Sequence, residues 1–199
     1  MNHELHRLAT SLRDVTGAAI QIDKVGETIQ RTLAALAEAI PHELSTMSEL
    51  VGGALLVRAV HGRSAQDRFQ GLRLPLDELP GLRSVLDGGR PTIWDDEDAD
   101  DDRLYRRLFE LPDERSALLI PIVIAGERLG LLTLDRARDE RFEAHHVDIG
   151  AVHAQIIGLA LAAASNANRI EELQAQLEEQ KRYLTDEVAS DAGRGLVLE

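Results

Sequence analysis

Residues 116–137 read SALLIPIVIAGERLGLLTLDRA, and this stretch decides the fold. Two apolar runs flank Ala125-Gly126-Glu127. Short apolar runs rich in β-branched residues and split by a turn predict a hairpin, and runs apolar on both faces predict a place at the centre of a covered sheet. Upstream, residues 42–62 (HELSTMSELVGGALLVRAVHG) predict another hairpin. Its first strand ends at about Val51, Gly52-Gly53 supplies the positive φ of a tight turn, and ALLVRAV is the partner. Between the hairpins lie a short extended piece (GLRLPL), a helix over 79–86 closed by Gly88-Gly89, a brief strand (PTIWDD) and a helical turn over 103–110.

Helical spacing governs both ends. Leu5, Leu8, Leu12 and Val15 form one stripe of a short first helix. Asp23 is placed to cap a second, whose buried face is Val25, Ile29, Leu33, Leu36 and Ile40, with Pro41 as the stop. From Phe142 to about Val188 only Gly150 and Gly158 interrupt helix formers. Ile149, Ile156, Ala163, Ile170, Leu177 and Leu184 recur every seven residues, with Val152, Leu159, Asn166 and Leu173 three further on. This heptad predicts a left-handed coiled coil and a homodimer, with Ile149, Ile156, Ile170, Leu173, Leu177 and Leu184 at the seam. Residues 190–199 (SDAGRGLVLE) lose the pattern and read as a linker.

The chain has 199 residues with 22 Lys+Arg against 35 Asp+Glu, a formal net charge of -13. The length suits one domain with an appendage. The acidic balance argues against direct nucleic-acid contact, which needs clustered cations to neutralise phosphates. Seven of the eight residues 95–102 (DDEDADDD) are acidic, so more than half of the net charge sits in one stretch. Like charges repel, so a solvated loop is expected there. A hard-cation site is the alternative, although the spacing and glycine of an EF-hand are missing. The chain has no cysteine, which excludes disulfides, zinc thiolates, thiol catalysis and thioether-linked chromophores. No run approaches the roughly 20 apolar residues of a membrane span, and the first residues lack the apolar core of a signal peptide. Cytoplasmic location, with no membrane partner, is the expectation.

The order of elements resembles the GAF family of small-molecule sensor domains. The likeness rests on HGRSAQDRFQGLRLPLDELPGLRSVLDGGRPTIWDD (61–96) and on SALLIPIVIAGERLGLLTLDRARDERFEAHHVDIGAVHAQIIGLAL (116–161). In such domains an apolar strand ends in HG, a helix closes on Gly, a Pro opens the next strand, and a Phe leads the exit helix. The resemblance implies an α+β fold with a central antiparallel sheet of five or six strands. The pocket helices lie on one face, and the N-terminal helices with the start of the exit helix lie on the other. It implies an N-terminal helix over 1–20, a sensor domain over 21–165, a signalling coiled coil over 166–190 and a linker over 191–199. The tail RIEELQAQLEEQKRYLTDEV (169–188) is similar to the linker helix of bacterial sigma-54 activators of the formate hydrogenlyase and nitric-oxide-responsive kinds, through Tyr183-Leu184 and Asp186-Glu187. Linkers to histidine kinase or cyclase modules look alike. No Walker loop is present, so an output domain would lie in cis beyond Glu199.

By the family pattern, a pocket between the sheet and two short helices is flanked by Trp94, Tyr105 and Phe109, with Arg115, Leu118 and Ile120 as further lining. The acidic run would be its lid. Arg103, Arg106, Arg107 and Arg115 stand ready for an anionic effector. Core packing is the competing role for the aromatics. The Asn-Lys-Phe-Asp-Glu type motif of cyclic-nucleotide GAF domains is missing. Non-haem iron, held in some relatives by Asp, His, Arg and Cys, lacks its cysteine here, so no cofactor is named. His145, His146 and His153 lack the spacing of a zinc site. Ser45, Ser64, Ser84 and Ser116 have no nucleophile-elbow context, so no catalysis is expected. Alternatives are a pure dimerisation module and an enzyme resembling free methionine sulfoxide reductases, which depend on cysteine.

Overall fold

The computed structural model describes residues 24–62, 66–95, 99–112, 115–137 and 140–194, with the backbone alone for 66, 67, 99–102 and 184–194. The expected first helix, the Asp23 cap and the end of the linker lie outside the described residues. The helix over 24–39 (α1) leads to β1 (Leu44–Val51), β2 (Ala54–Gly62), α2 (Gln66–Phe69) and β3 (Arg73–Pro75). α3 (Pro80–Gly88), β4 (Thr92–Trp94), α4 (Ala99–Phe109), β5 (Arg115–Ile124), β6 (Glu127–Ala137) and α5 (Ala144–Arg194) follow. The chain divides into a compact unit Ile22–Ala162 and a second unit that takes in the described residues from Ala163 onward.

The strands make one six-stranded sheet in the order β3-β2-β1-β6-β5-β4, antiparallel throughout. Both hairpins turn as the sequence predicts. Gly52 and Gly53 have φ of 55° and 78°, and Ala125 and Gly126 have 51° and 85°. These are the paired positive values that match a two-residue turn to strand twist. The central pair, however, is β1 and β6. β5 is one strand in from the β4 edge. Its apolar pattern records coverage of both faces, since Arg115 through Ile122 are all buried.

Alternation of side chains divides the core into two layers. Leu44, Leu55, Leu74, Ala117, Leu119 and Leu131 pack with Phe69, α3 and α4 on one face. Met47, Leu118, Ile120, Ile122, Leu132 and Leu134 pack with α1 and α5 on the other. The α1 stripe is as predicted, with Ile29, Leu33, Leu36 and Ile40 buried and Val25 partly buried. The two interior glycines of α5 let it approach β5 closely. A Cβ on Gly150 would stand 2.3 Å from Ile120 Cδ1, and one on Gly158 would stand 2.8 Å from Ile124 Cγ1.

Three sequence expectations need correction. The acidic stretch is not all loop: Asp96–Asp98 lie outside the described residues, but residues 99–102 form the first turn of α4. Aspartates suit a helix N-terminus, where the peptide dipoles offset their repulsion. α5 continues through Ser190 to Arg194, so the expected linker is helical over its first half. Finally, α5 over Ala144–Tyr183 is long and apolar enough to cross a membrane by length and composition alone. Packing accounts for part of that apolarity, because Ala154 and Ile157 are buried against the sheet.

Candidate functional site

The α4 side of the sheet holds a buried polar cluster. β6 turns Leu131, Thr133 and Asp135 to this side, and register places Thr133 across from Thr46 and Asp135 across from Ala117. α4 contributes Tyr105 and Phe109, four residues apart on one helical face and both buried. The Tyr105 hydroxyl is 2.9 Å from Thr133 Oγ1 and donates to Asp135 Oδ2 at 3.4 Å. Thr133 Oγ1 in turn lies 2.7 Å from Thr46 Oγ1. Arg115, at the start of β5, forms an ion pair with Asp135, and the two side chains are 3% and 2% exposed. The guanidinium carbon stands 5.2 Å from the Tyr105 ring centroid. Phe109 packs on Tyr105 at 4.7 Å and on Phe69 at 5.1 Å.

A buried carboxylate and guanidinium are tolerable only when paired and hydrogen-bonded, and Tyr105 and Thr133 supply acceptors and donors around the pair. The charge of Arg115, expected to meet an anionic effector, is therefore neutralised inside the protein by Asp135. Sequence reading missed Asp135. Its signal was present, because in LGLLTLD an acid falls on the alternation that turns Leu131 and Thr133 inward.

Of the six expected lining residues, Tyr105, Phe109 and Arg115 come together, and Trp94 packs half-buried against the same core. Leu118 and Ile120 do not join them. They point to the opposite face, where both approach Gly150. A one-residue step in a strand reverses the side-chain direction, so Ala117 and Leu119 hold the positions that Leu118 and Ile120 were expected to fill. Arg103 and Arg107 are exposed, and Arg106 is half-buried.

On α5, the seam residues Ile156, Ile170, Leu173 and Leu177 are 45%, 56%, 53% and 52% exposed. Val152 and Leu159 are each 59% exposed. Ile149 differs: it is partly buried against the α1 side of the core, so it is taken up by the domain itself. The Leu184 side chain lies outside the described residues. At the root of α5, Ser116 Oγ donates to Asp95 Oδ1 at 3.0 Å and accepts the Phe142 N–H at 3.5 Å. Arg141 reaches Asp95 Oδ2 at 3.6 Å. The start of the acidic stretch is thus tied to the start of the long helix. Among the described residues no group of three or more His, Cys, Asp or Glu side chains is placed to hold a metal ion.

No curated protein sequence is significantly similar to the chain. Solved GAF domains share its fold. That of a GAF domain/HD domain protein from Geobacter sulfurreducens superposes with a TM-score of 0.64 at 18% identity, covering 72% of this chain and 95% of its own. That of a phosphoenolpyruvate-protein phosphotransferase from Coxiella burnetii gives 0.63 at 20% identity, covering 79% and 96%. That of a two-component sensor histidine kinase from Bacillus halodurans gives 0.59 at 16% identity, covering 71% and 95%. GAF domains thus occur in signalling proteins of several output types. The family profile described as GAF domain matches residues 26–162, the sheet together with α1 and the first turns of α5, and the chain belongs to that family.

Proposed function

We propose that this chain is a regulatory GAF domain of a bacterial signalling protein, cytoplasmic and without catalysis of its own. It forms a homodimer through α5 and passes a signal from the α4 side of the sheet to an output domain in cis. The observation that carries this reading is the exposed apolar line Val152, Ile156, Leu159, Ile170, Leu173 and Leu177, at heptad spacing along one helix. Complete burial of such a side chain is worth about 1.5–3 kcal/mol, so a second copy of the helix is a strong partner for a half-exposed line of six. A sigma-54-dependent transcriptional activator is the parent that the Tyr183-Leu184 tail favours; a histidine kinase or cyclase is the alternative. Neither nucleic acid nor membrane is a direct partner of this chain in the proposal, and any small-molecule effector is of unassigned chemistry.

A second reading has its own support. The Arg115–Asp135 pair with Tyr105 fills the region between α4 and the sheet with the protein's own groups, as a dimerisation module without ligand would. Sedimentation of the chain with and without residues 166–199 tests the shared part. A dimer that becomes a monomer on truncation is expected, and a monomer in both cases overturns it. Mass spectrometry of small molecules retained by the natively purified protein separates the two readings.

A further inference from the structure

Arg136, near the end of β6, is 6% exposed and joins two connections. Its Nη1 donates to the Pro41 carbonyl at 3.5 Å, before β1, and its Nη2 donates to the Arg141 carbonyl, before α5. The guanidinium carbon lies 4.0 Å from the centroid of the Phe142 ring. One fixed positive charge thus ties the entry of the sheet to the root of the long helix.

Two histidines flank this charge, and hydrogen bonding fixes the tautomer of each. His146 Nδ1 accepts the Glu143 backbone N–H at 3.0 Å, so that nitrogen must carry its lone pair. This is the return half of a capping box, with an imidazole where Glu or Gln is usual. His42 Nδ1 lies 2.6 Å from the Ile40 carbonyl, which can only accept, so Nδ1 carries the hydrogen. Its Nε2 is buried without a hydrogen-bond partner among the described residues. A proton there would be an unsatisfied buried donor.

We propose that His42, Arg136 and His146 form a proton-sensitive junction that loosens the first turn of α5 when the two imidazoles are protonated. A protonated His146 cannot accept the Glu143 N–H, and its charge opposes the positive end of the helix dipole. A protonated His42 adds a second positive charge near Arg136, on a half-buried ring whose Nε2 is buried. Most of the groups around the pair act in the same sense. Burial comes first in lowering both histidine pKa values; His61 and Arg136 add to it at His42, and His145 and Arg136 at His146. The Ile40 carbonyl at His42 and Glu143 at His146 oppose it. Glu140 and Glu143 face Arg136, and Arg141 is engaged with Asp95.

The test is an NMR titration of the full chain that follows the ring nitrogens of both histidines and the Glu143 amide. Expected are an Nε2–H tautomer for His146, an Nδ1–H tautomer for His42, and midpoints below the ordinary histidine value. The Glu143 amide shift should move with the His146 midpoint. His146→Gln should hold that shift at its high-pH position throughout, because Gln accepts at every pH. Midpoints at or above the ordinary value, the opposite tautomers, or a Glu143 amide that ignores the titration would overturn the junction. The wild-type titration needs no variant to fold, and it reads the junction whether or not α5 pairs with a second copy.

Discussion

Gly150 of α5 faces Ile120 of β5 so closely that a Cβ on the glycine would stand 2.3 Å from Ile120 Cδ1. The glycine therefore sets the spacing between helix and sheet. Gly150→Ala gains about 1 kcal/mol of helix propensity but overpacks the interface by about 1–3 kcal/mol, so a net loss of about 1 kcal/mol is expected. Gly158→Ala should cost more, because its Cβ would meet both Ile122 and Ile124 within 2.9 Å. Ile120→Val removes the offending Cδ1, and the double variant Gly150→Ala/Ile120→Val should be more stable than the sum of its parts by about 1 kcal/mol. Urea unfolding of the four proteins measures the cycle. A stabilised Gly150→Ala single variant would contradict the spacing.

That pair also marks where the sequence was legible. The hairpins, the α1 stripe and the length of α5 follow from patterns that lie along the chain: Gly52-Gly53, Ile29 through Ile40, and the seven-residue recurrence. Gly150 and Gly158 read only as tolerated interruptions, because the reason for them lies on β5. The site was half legible for a related cause. Tyr105, Phe109 and Arg115 were singled out, but the face of each strand depends on register, and Leu118 and Ile120 were assigned to the wrong one. Asp135 went unnoticed because its partner is 20 residues away in sequence and adjacent only through the β5–β6 pairing.

The Arg115–Asp135 pair should behave as a buried unit. Removing one partner leaves an uncompensated charge, so Arg115→Met should cost about 3–5 kcal/mol. Replacing both, as Arg115→Met/Asp135→Leu, should cost less than Arg115→Met alone, since an apolar pair needs no compensation. Tyr105→Phe removes a donor next to Thr133 and Asp135 and should cost about 1–3 kcal/mol. Denaturant midpoints decide the order. A double variant worse than Arg115→Met would mean that the two groups do not compensate each other.

The seam on α5 predicts opposite effects for two kinds of substitution. Leu173→Asp places a charge on a side chain that is 53% exposed in the single chain, so the fold should be retained while self-association is lost. Asn166 is exposed at a position of the same seam, and a polar residue there specifies register at a cost in stability. Asn166→Leu should therefore tighten association more than tenfold and weaken the preference for one alignment. Sedimentation equilibrium gives both affinities, and disulfide trapping through Asn166→Cys reports alignment. An unchanged mass for Leu173→Asp would exclude α5 as the dimer interface.

Acidity should destabilise the fold in a defined window. Burial, with Arg136 adding to it at both rings, lowers the pKa of His42 and of His146. The unfolded chain therefore takes up protons before the folded one does as pH falls. The stability these rings contribute is fully present above the ordinary histidine value and is lost as pH drops through the lowered folded values. His42→Asn keeps a donor for the Ile40 carbonyl and cannot titrate, so its urea midpoint should fall less than that of the wild type over the same pH range. His153→Asn serves as the control, since its ring lies against the Ile149 carbonyl further along α5 and is not among the groups that act on His42 or His146. Its profile should follow the wild type in shape. If His42→Asn and wild type lose stability in parallel, the acid sensitivity comes from groups other than His42, and His146→Gln is the next variant to be tested.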